Sequence, residues 1–226
     1  MKNIKYLLIL ISGICAAQNK FEVMNGSKRY SAEISVDNCN AENCEGKAVI
    51  KLVDKKSNRF FQTLTSDDLY FFLDEKQKPT VNVIQLYGEQ SPLIFDDFNF
   101  DGTEDLAVRN GNNSGYGGPS YDIYVYNSTK RQFVLSSQLT NLVVENLGMF
   151  VTDHKRKRLI TYSKSGCCWH MTTEYEVVPN KGLHKVHELE EDAMNSEFVT
   201  VTIRNFINNK WQTKTKNYKI SEYYKE

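Results

Sequence analysis

From Phe21 onward the chain is a string of short aromatic and β-branched runs cut by turn residues, and this two-residue alternation restricts it to strands. FEVMNGSKRYSAEISV opens the series, with Asn25-Gly26 as a hairpin turn between two alternating stretches. KAVIKLVD and RFFQTLT repeat the theme across the polar turn KKSN. KRQFVLSS, KRLITYSKSG, TTEYEVV and FVTVTIRNFINNKWQTKTKNYKI return to it, and Asn208-Asn209 marks the last turn. Thirteen tyrosines and twelve phenylalanines against four prolines suit strands better than helices. The expected fold is therefore all-β, an antiparallel meander forming one propeller-like or barrel-like domain. LHKVHELEEDAMNSEF holds enough helix formers for one or two helical turns, the only helix expected. No Pro-rich or Gly/Ser-rich linker divides the chain, and no strict repeat runs through it.

MKNIKYLLILISGICAA, residues 1–17, has two early lysines, an apolar run and small residues at its end, the layout of a secretory signal peptide. The apolar run is shorter than the ~20 residues that a membrane-spanning helix needs. Ile14 stands before Cys15 where lipoprotein processing wants a small residue. Cleavage after Ala17 leaves residues 18–226 as the folded domain, placed in the periplasm or outside the cell. It also removes Lys2 and Lys5, which takes 28 cations against 28 anions to 26 against 28. That balance gives no general electrostatic attraction to nucleic acid.

Export puts Cys39, Cys44, Cys167 and Cys168 where disulfides persist. Cys39 and Cys44 can close the NAEN loop, leaving a vicinal Cys167–Cys168 bridge; pairing across the two regions is the rival, and the sequence leaves both open.

The densest pattern of acids and glycines is LIFDDFNFDGTEDLAVRNGNNSGYGGPSYDIYVYN. Within it Asp97, Asn99 and Asp101 alternate, Gly102 follows and Asp105 comes three residues later. A hard cation with six to eight oxygen ligands needs several short oxygen side chains on one tight loop plus a backbone carbonyl. Thr103 would give the carbonyl, Gly102 the sharp turn and Asp105 the closing ligand of a structural calcium ion. An EF-hand loop would carry a bidentate glutamate at its twelfth position, where this chain has Val108. LIF before and LAV after the loop set it between strands. A plain Asx turn is the alternative.

After it comes NGNNSGYGGPSY, in which glycine and asparagine permit unusual backbone angles and tyrosines offer rigid contact area. Asn113, Ser114, Tyr116, Ser120 and Tyr121 are its candidate contact residues, with the calcium site expected at the base of the loop.

FDDFNFDGTEDLAV resembles the calcium loop of FG-GAP or integrin-type propeller repeats, in a single copy. The longer stretch through IYVYN resembles a family of exported bacterial proteins with a propeller-like β domain, some of them immunity proteins against secreted peptidoglycan hydrolases and related to periplasmic lysozyme inhibitors. The resemblance implies that a protruding loop, here Asn110 to Tyr121, enters the hydrolase's substrate cleft. Such inhibitors often show Ser-Gly-x-x-Tyr; this chain has Ser114-Gly115 with Tyr116 and Tyr121, and Gly118 in the tyrosine's place. The protein partner implied is a lysozyme-like peptidoglycan hydrolase.

SGCCWH collects two thiols and His170, but adjacent cysteines lack the spacing of a zinc site. DHKRKR, residues 153–158, reads as a solvated hairpin end. No nucleophile elbow, zincin motif or phosphate-binding loop is present, and the neighbours Asp67-Asp68 and Glu190-Glu191 are poorly placed to share a substrate. Binding is expected rather than catalysis. A surface adhesion or carbohydrate-binding module, with Trp169, Trp211 or exposed tyrosines stacking on sugars, is the alternative function.

Overall fold

The computed structural model describes residues 19–179, 181–195 and 197–224; the expected signal peptide lies outside them. Three antiparallel meander sheets follow one another along the chain. The first holds β1 (Asn19–Val23), β2 (Tyr30–Cys39), β3 (Asn43–Asp54) and β4 (Arg59–Phe72). The second holds β5 (Leu93–Asp96), β6 (Asp105–Arg109), β7 (Tyr121–Asn127) and β8 (Gln132–Leu135). Helix α1 (Ser137–Val144) leads into the third, made of β9 (Val151–Asp153), β10 (Arg158–Ser165), β11 (Trp169–Val178), β12 (Gly182–Asp192), β13 (Phe198–Ile207) and β14 (Lys210–Lys219), before the short α2 (Ile220–Tyr223). The fold is all-β as expected; among the described residues the sheets stay open and form no closed barrel.

The second sheet is the middle layer. Leu93, Phe95, Leu106, Val108 and Phe133 pack with the first sheet around Ile34, Ile50, Leu52 and Phe71. Ile94, Ala107, Tyr121 and Ile123 point the other way, onto Leu139, Leu142 and Val143 of α1, Phe150 and Leu159. Successive side chains on a strand face opposite sides, so a strand packed on both faces must be apolar at every position. β6 meets that demand with Leu106, Ala107 and Val108 between Asp105 and Arg109, and all five are buried.

Several local expectations hold. Asn58 closes the KKSN turn at φ 52°. Asn208 (φ 53°) and Asn209 (φ 59°) join β13 to β14 as a two-residue turn, whose two left-handed positions favour asparagine. Asn25-Gly26 lies in a wider connection, residues 24–29, although β1 and β2 do pair. The helix expected within LHKVHELEEDAMNSEF is corrected. Its first part is β12, which pairs with β11 on one side and β13 on the other, and two ladders of hydrogen bonds outweigh weak helix propensity. The true helix α1 starts at Ser136, whose Oγ accepts from the Leu139 N–H, and it buries Leu139, Leu142 and Val143 at helical spacing.

Candidate functional site

Two loops leave opposite ends of β6: residues 97–104 enter it and residues 110–120 follow it. Five residues of strand span ~17 Å. The acidic loop therefore does not lie at the base of the loop carrying Tyr116, and the expectation that it does is corrected.

The acidic loop is a network of side chains holding its own backbone. Asp97 accepts from the Asp101 N–H through Oδ1 (3.0 Å) and the Gly102 N–H through Oδ2 (2.9 Å). Asn99 Oδ1 also accepts from Asp101 N–H (3.0 Å), and Asp101 Oδ1 takes the Thr103 N–H and hydroxyl. Gly102, at φ 89°, makes the turn that a side chain would strain. Phe98 points inward, fully buried and edge-on to Phe150. Glu104 accepts from Ser27 Oγ and the Lys28 N–H, pinning the β1–β2 connection to the loop.

Asp105 is fully buried, and its carboxylate accepts from the backbone N–H groups of Phe98, Asn99 and Tyr126. Burial pushes this carboxyl up to about 7; the bonds from Tyr126 and Phe98 pull it down, and the nearby Asp101 and Asp97 charges push it further up. The charges of Asp97 and Asp101 thus oppose ionisation of Asp105 across the loop. Asp97 and Asn99 are half-buried and Asp101 is exposed, whereas buried Asp105 spends its carboxylate on three backbone N–H groups. Among the described residues no three Asp, Glu, His or Cys side chains converge as closely as a filled metal site requires.

The 110–120 loop is anchored from both sides. Asn110 Oδ1 accepts from the N–H groups of Asp67 and Asp68, and its Nδ2 donates to Asp122. Gly115 N–H donates to the Asn146 carbonyl (2.7 Å), and a Cβ on Gly115 would come within 2.9 Å of that oxygen. Buried Arg109 donates to Asn112 and lies over the Tyr70 ring.

This packing separates the five candidate contact residues. Tyr116 projects, 65% exposed, in a left-handed conformation (φ 59°) that a tyrosine rarely adopts, and its hydroxyl accepts from the Gly166 N–H (2.6 Å). Asn113 is also exposed. Tyr121 is 1% exposed, with its hydroxyl on the Ser91 carbonyl; Ser114 and Ser120 are buried as well. In this conformation these three are packed inside the protein, whereas Tyr116 and Asn113 face outward.

The cysteines pair locally, Cys39 with Cys44 and Cys167 with Cys168, the latter closing the β10–β11 turn. The basic run is a hairpin end, with Arg156 bound to Asp153 and Glu174. Glu190 accepts from Trp169 Nε1 and Arg204, while its neighbour Glu191 accepts from the Tyr223 hydroxyl. Asp67 and Asp68 are exposed on β4 and serve Asn110 with their backbones. Sequence reasoning missed Tyr87 and Lys164, which the fold brings to Tyr116 from two other segments: the Lys164 ammonium is 5.0 Å from the Tyr87 ring centre and 4.8 Å from that of Tyr116. Nothing local in the sequence signals that meeting.

No protein-family model matches the chain, and no curated protein matches it by sequence. A solved structure does match in fold: a Xanthomonas protein described as related to a type IV secretion system, with a TM-score of 0.65 and 19% identity over 90% of this chain and 95% of the other. No helix among the described residues is long and apolar enough to cross a membrane.

Proposed function

We propose that this protein is exported, stabilised by one calcium ion, and acts by binding, blocking a lysozyme-like peptidoglycan hydrolase with Tyr116. The observation that carries the reading is the state of Tyr116: an exposed aromatic ring held in a strained backbone conformation and fixed at its hydroxyl by Gly166. Strain at an exposed, rigidly supported residue is characteristic of a contact made in advance of binding, which lowers the entropy cost of association. Two disulfides fit an oxidising compartment outside the cytoplasm, and the fold shared with a secretion-related Xanthomonas protein agrees with an exported role.

In this reading Asp97, Asn99, Asp101, the Thr103 carbonyl and Asp105 would hold a calcium ion, whose charge would offset the repulsion among the acids at the entry to β6. The test is lysis of purified peptidoglycan by chicken-, goose- and invertebrate-type lysozymes and by secreted lysozyme-like hydrolases of the source bacterium, with and without the mature protein. Inhibition that falls at least tenfold in Tyr116→Ala, at an unchanged melting temperature, is the expected result. Full inhibition by that variant rejects the loop mechanism.

A carbohydrate-binding module is the second reading, favoured by an open cleft of about 840 Å³ on the third sheet. A bulge on β12 at Val186 puts His184 and His187 on one face, beside Glu174, Glu176, Asn205 and Phe206. Trp211, 42% exposed, lies against Phe206 with ring centres 5.5 Å apart and planes tilted by 58°. Retention on immobilised glycans that Trp211→Ala abolishes would favour this reading over the first.

A further inference from the structure

We infer that the ligand of the cleft on the third sheet is an acidic glycan, whose anionic groups are taken by Lys210, Lys214 and Lys216 of β14. The inference rests on the carbohydrate-binding reading above and names the class of sugar chain that the cleft takes.

The register of the sheet joins the cleft to this row of cations. Glu174 pairs with His187, His187 with Asn205 and Asn205 with Gln212, so one line of side chains crosses β11, β12, β13 and β14 on a single face. The first three of these residues line the cleft. Gln212 stands between Lys210 and Lys214, and positions 210 to 218 that alternate with it share its face, because β14 pairs with β13 without a bulge. Leu159, Tyr175 and Val177, on the other face of the sheet, pack into the cluster around α1, so the lysine face points away from the body. All three lysines are exposed, and the Lys216 ammonium lies over the Tyr218 ring, 4.5 Å from its centre. Six residues of strand separate Lys210 from Lys216, ~20 Å, a length that suits several units of a chain rather than one sugar ring.

The charge of this hairpin selects the ligand. Residues 198–219 hold one arginine and four lysines and no aspartate or glutamate, in a chain whose acids and bases otherwise balance. Arg204 is held by Glu188 and Glu190, and in the cleft Arg156 and Arg158 are bound to Glu174 and Glu176. Glu191, in the same ladder row as Lys216, stands two strands away and accepts from the Tyr223 hydroxyl. Among the described residues no carboxylate lies within ion-pair distance of Lys210, Lys214 or Lys216. Lysines on an open edge strand discourage pairing with another strand. Set in a line that continues the cleft, these three also complement a chain with negative groups on successive sugars. A bilayer presents its charge over a plane and is recognised by clusters of about four to eight basic residues, which this single row does not supply.

The test measures calorimetric binding of the mature protein to polygalacturonate, to phosphomannan and, as an uncharged counterpart, to fully methyl-esterified polygalacturonate. At least one acidic chain should bind at least tenfold more tightly than the esterified one, and which of the two binds names carboxylate or phosphate. That binding should weaken at least fivefold between about 50 and 200 mM salt. Lys210→Gln, Lys214→Gln and Lys216→Gln together should cost at least tenfold and flatten the salt dependence, whereas arginine at all three positions should stay within about threefold. Lys76→Gln, Lys78→Gln and Lys130→Gln together remove the same charge elsewhere and should change nothing. Melting curves and size-exclusion chromatography check that each variant is folded and unaggregated. If the β14 glutamine variant binds acidic chains as tightly as the unmodified protein, or the esterified chain binds as well as they do, the acidic class is overturned and the carbohydrate reading stands. If neither acidic chain binds, the class is again overturned, and retention on neutral immobilised glycans decides the carbohydrate reading by itself.

Discussion

Phe98 sits inside an otherwise polar loop, and its removal tests whether that loop is anchored by the core or by its own hydrogen bonds. The ring is fully buried and packs edge-on to Phe150 at 5.4 Å between centres, in the cluster shared by the middle sheet, α1 and Leu159. Truncating a buried phenylalanine to alanine costs about 3–5 kcal/mol through lost transfer energy and the cavity left behind. The edge-on pair contributes about 0.5–1.5 kcal/mol of that as specific coupling. Asp105 holds the Phe98 N–H by its carboxylate, so the backbone bond survives the substitution and the loss is that of the side chain alone. In urea unfolding followed by circular dichroism, Phe98→Ala should lose about 4 kcal/mol, and Phe98→Leu about 1–2 kcal/mol. At this chain size the first corresponds to a fall of roughly 10 °C in melting temperature. Combining Phe98→Ala with Phe150→Ala should cost less than the sum of the two single losses, by about 1 kcal/mol. A loss below ~1 kcal/mol for Phe98→Ala, with strictly additive behaviour in the pair, would refute the view that the core anchors the acidic loop.

Calcium titrated calorimetrically into chelator-stripped protein should bind at one site, and Asp101→Ala should abolish the heat; calcium at a hundredfold above its dissociation constant should raise stability by about 2.7 kcal/mol. Trp169 Nε1 and then Arg204 hold the Glu190 carboxyl below its ordinary value of 4.5. Its contribution to stability is thus fully present above about pH 4.5 and is lost as pH falls through the lower native value, and Glu190→Gln should flatten that acid arm of a melting-temperature profile. Replacing Cys39 and Cys44 together by alanine opens a loop closed over a separation of five residues, which by chain entropy costs about 2 kcal/mol in chemical denaturation.

Much of the architecture could be read from local pattern, because antiparallel meanders join neighbours in sequence and each hairpin carries its own turn chemistry. Asn208-Asn209 and the KKSN turn announced their hairpins through residues that tolerate left-handed backbone. The helix at Ser137–Val144 carries its signals, a serine cap and apolar residues at 139, 142 and 143, but two turns are too short for that period to stand out between strands, and the expected helix lay elsewhere. The charged run Lys185–Asp192 misled in the opposite direction: helix-forming residues occur there on a strand supported by two partners. Tyr121 shows why a loop's composition does not reveal its exposed residues. Its ring begins β7 and turns into the core, while Tyr116 five residues earlier turns out. The Tyr87–Lys164–Tyr116 assembly was beyond local reading, since its members come together only when the sheets stack.

The doubly covered middle sheet has a dynamic consequence. A strand with no solvent-facing side can lend its amide hydrogens to water only by opening both flanking layers, so the amides of Leu106 to Val108 should exchange at the rate set by global unfolding. The loops at its two ends are instead held by separate anchors, Phe98 and Asp105 at one and Asn110 and Gly115 at the other. Their protection factors should differ from each other and from the strand between them, so that a ligand seated at one end slows exchange there long before it is felt at the other.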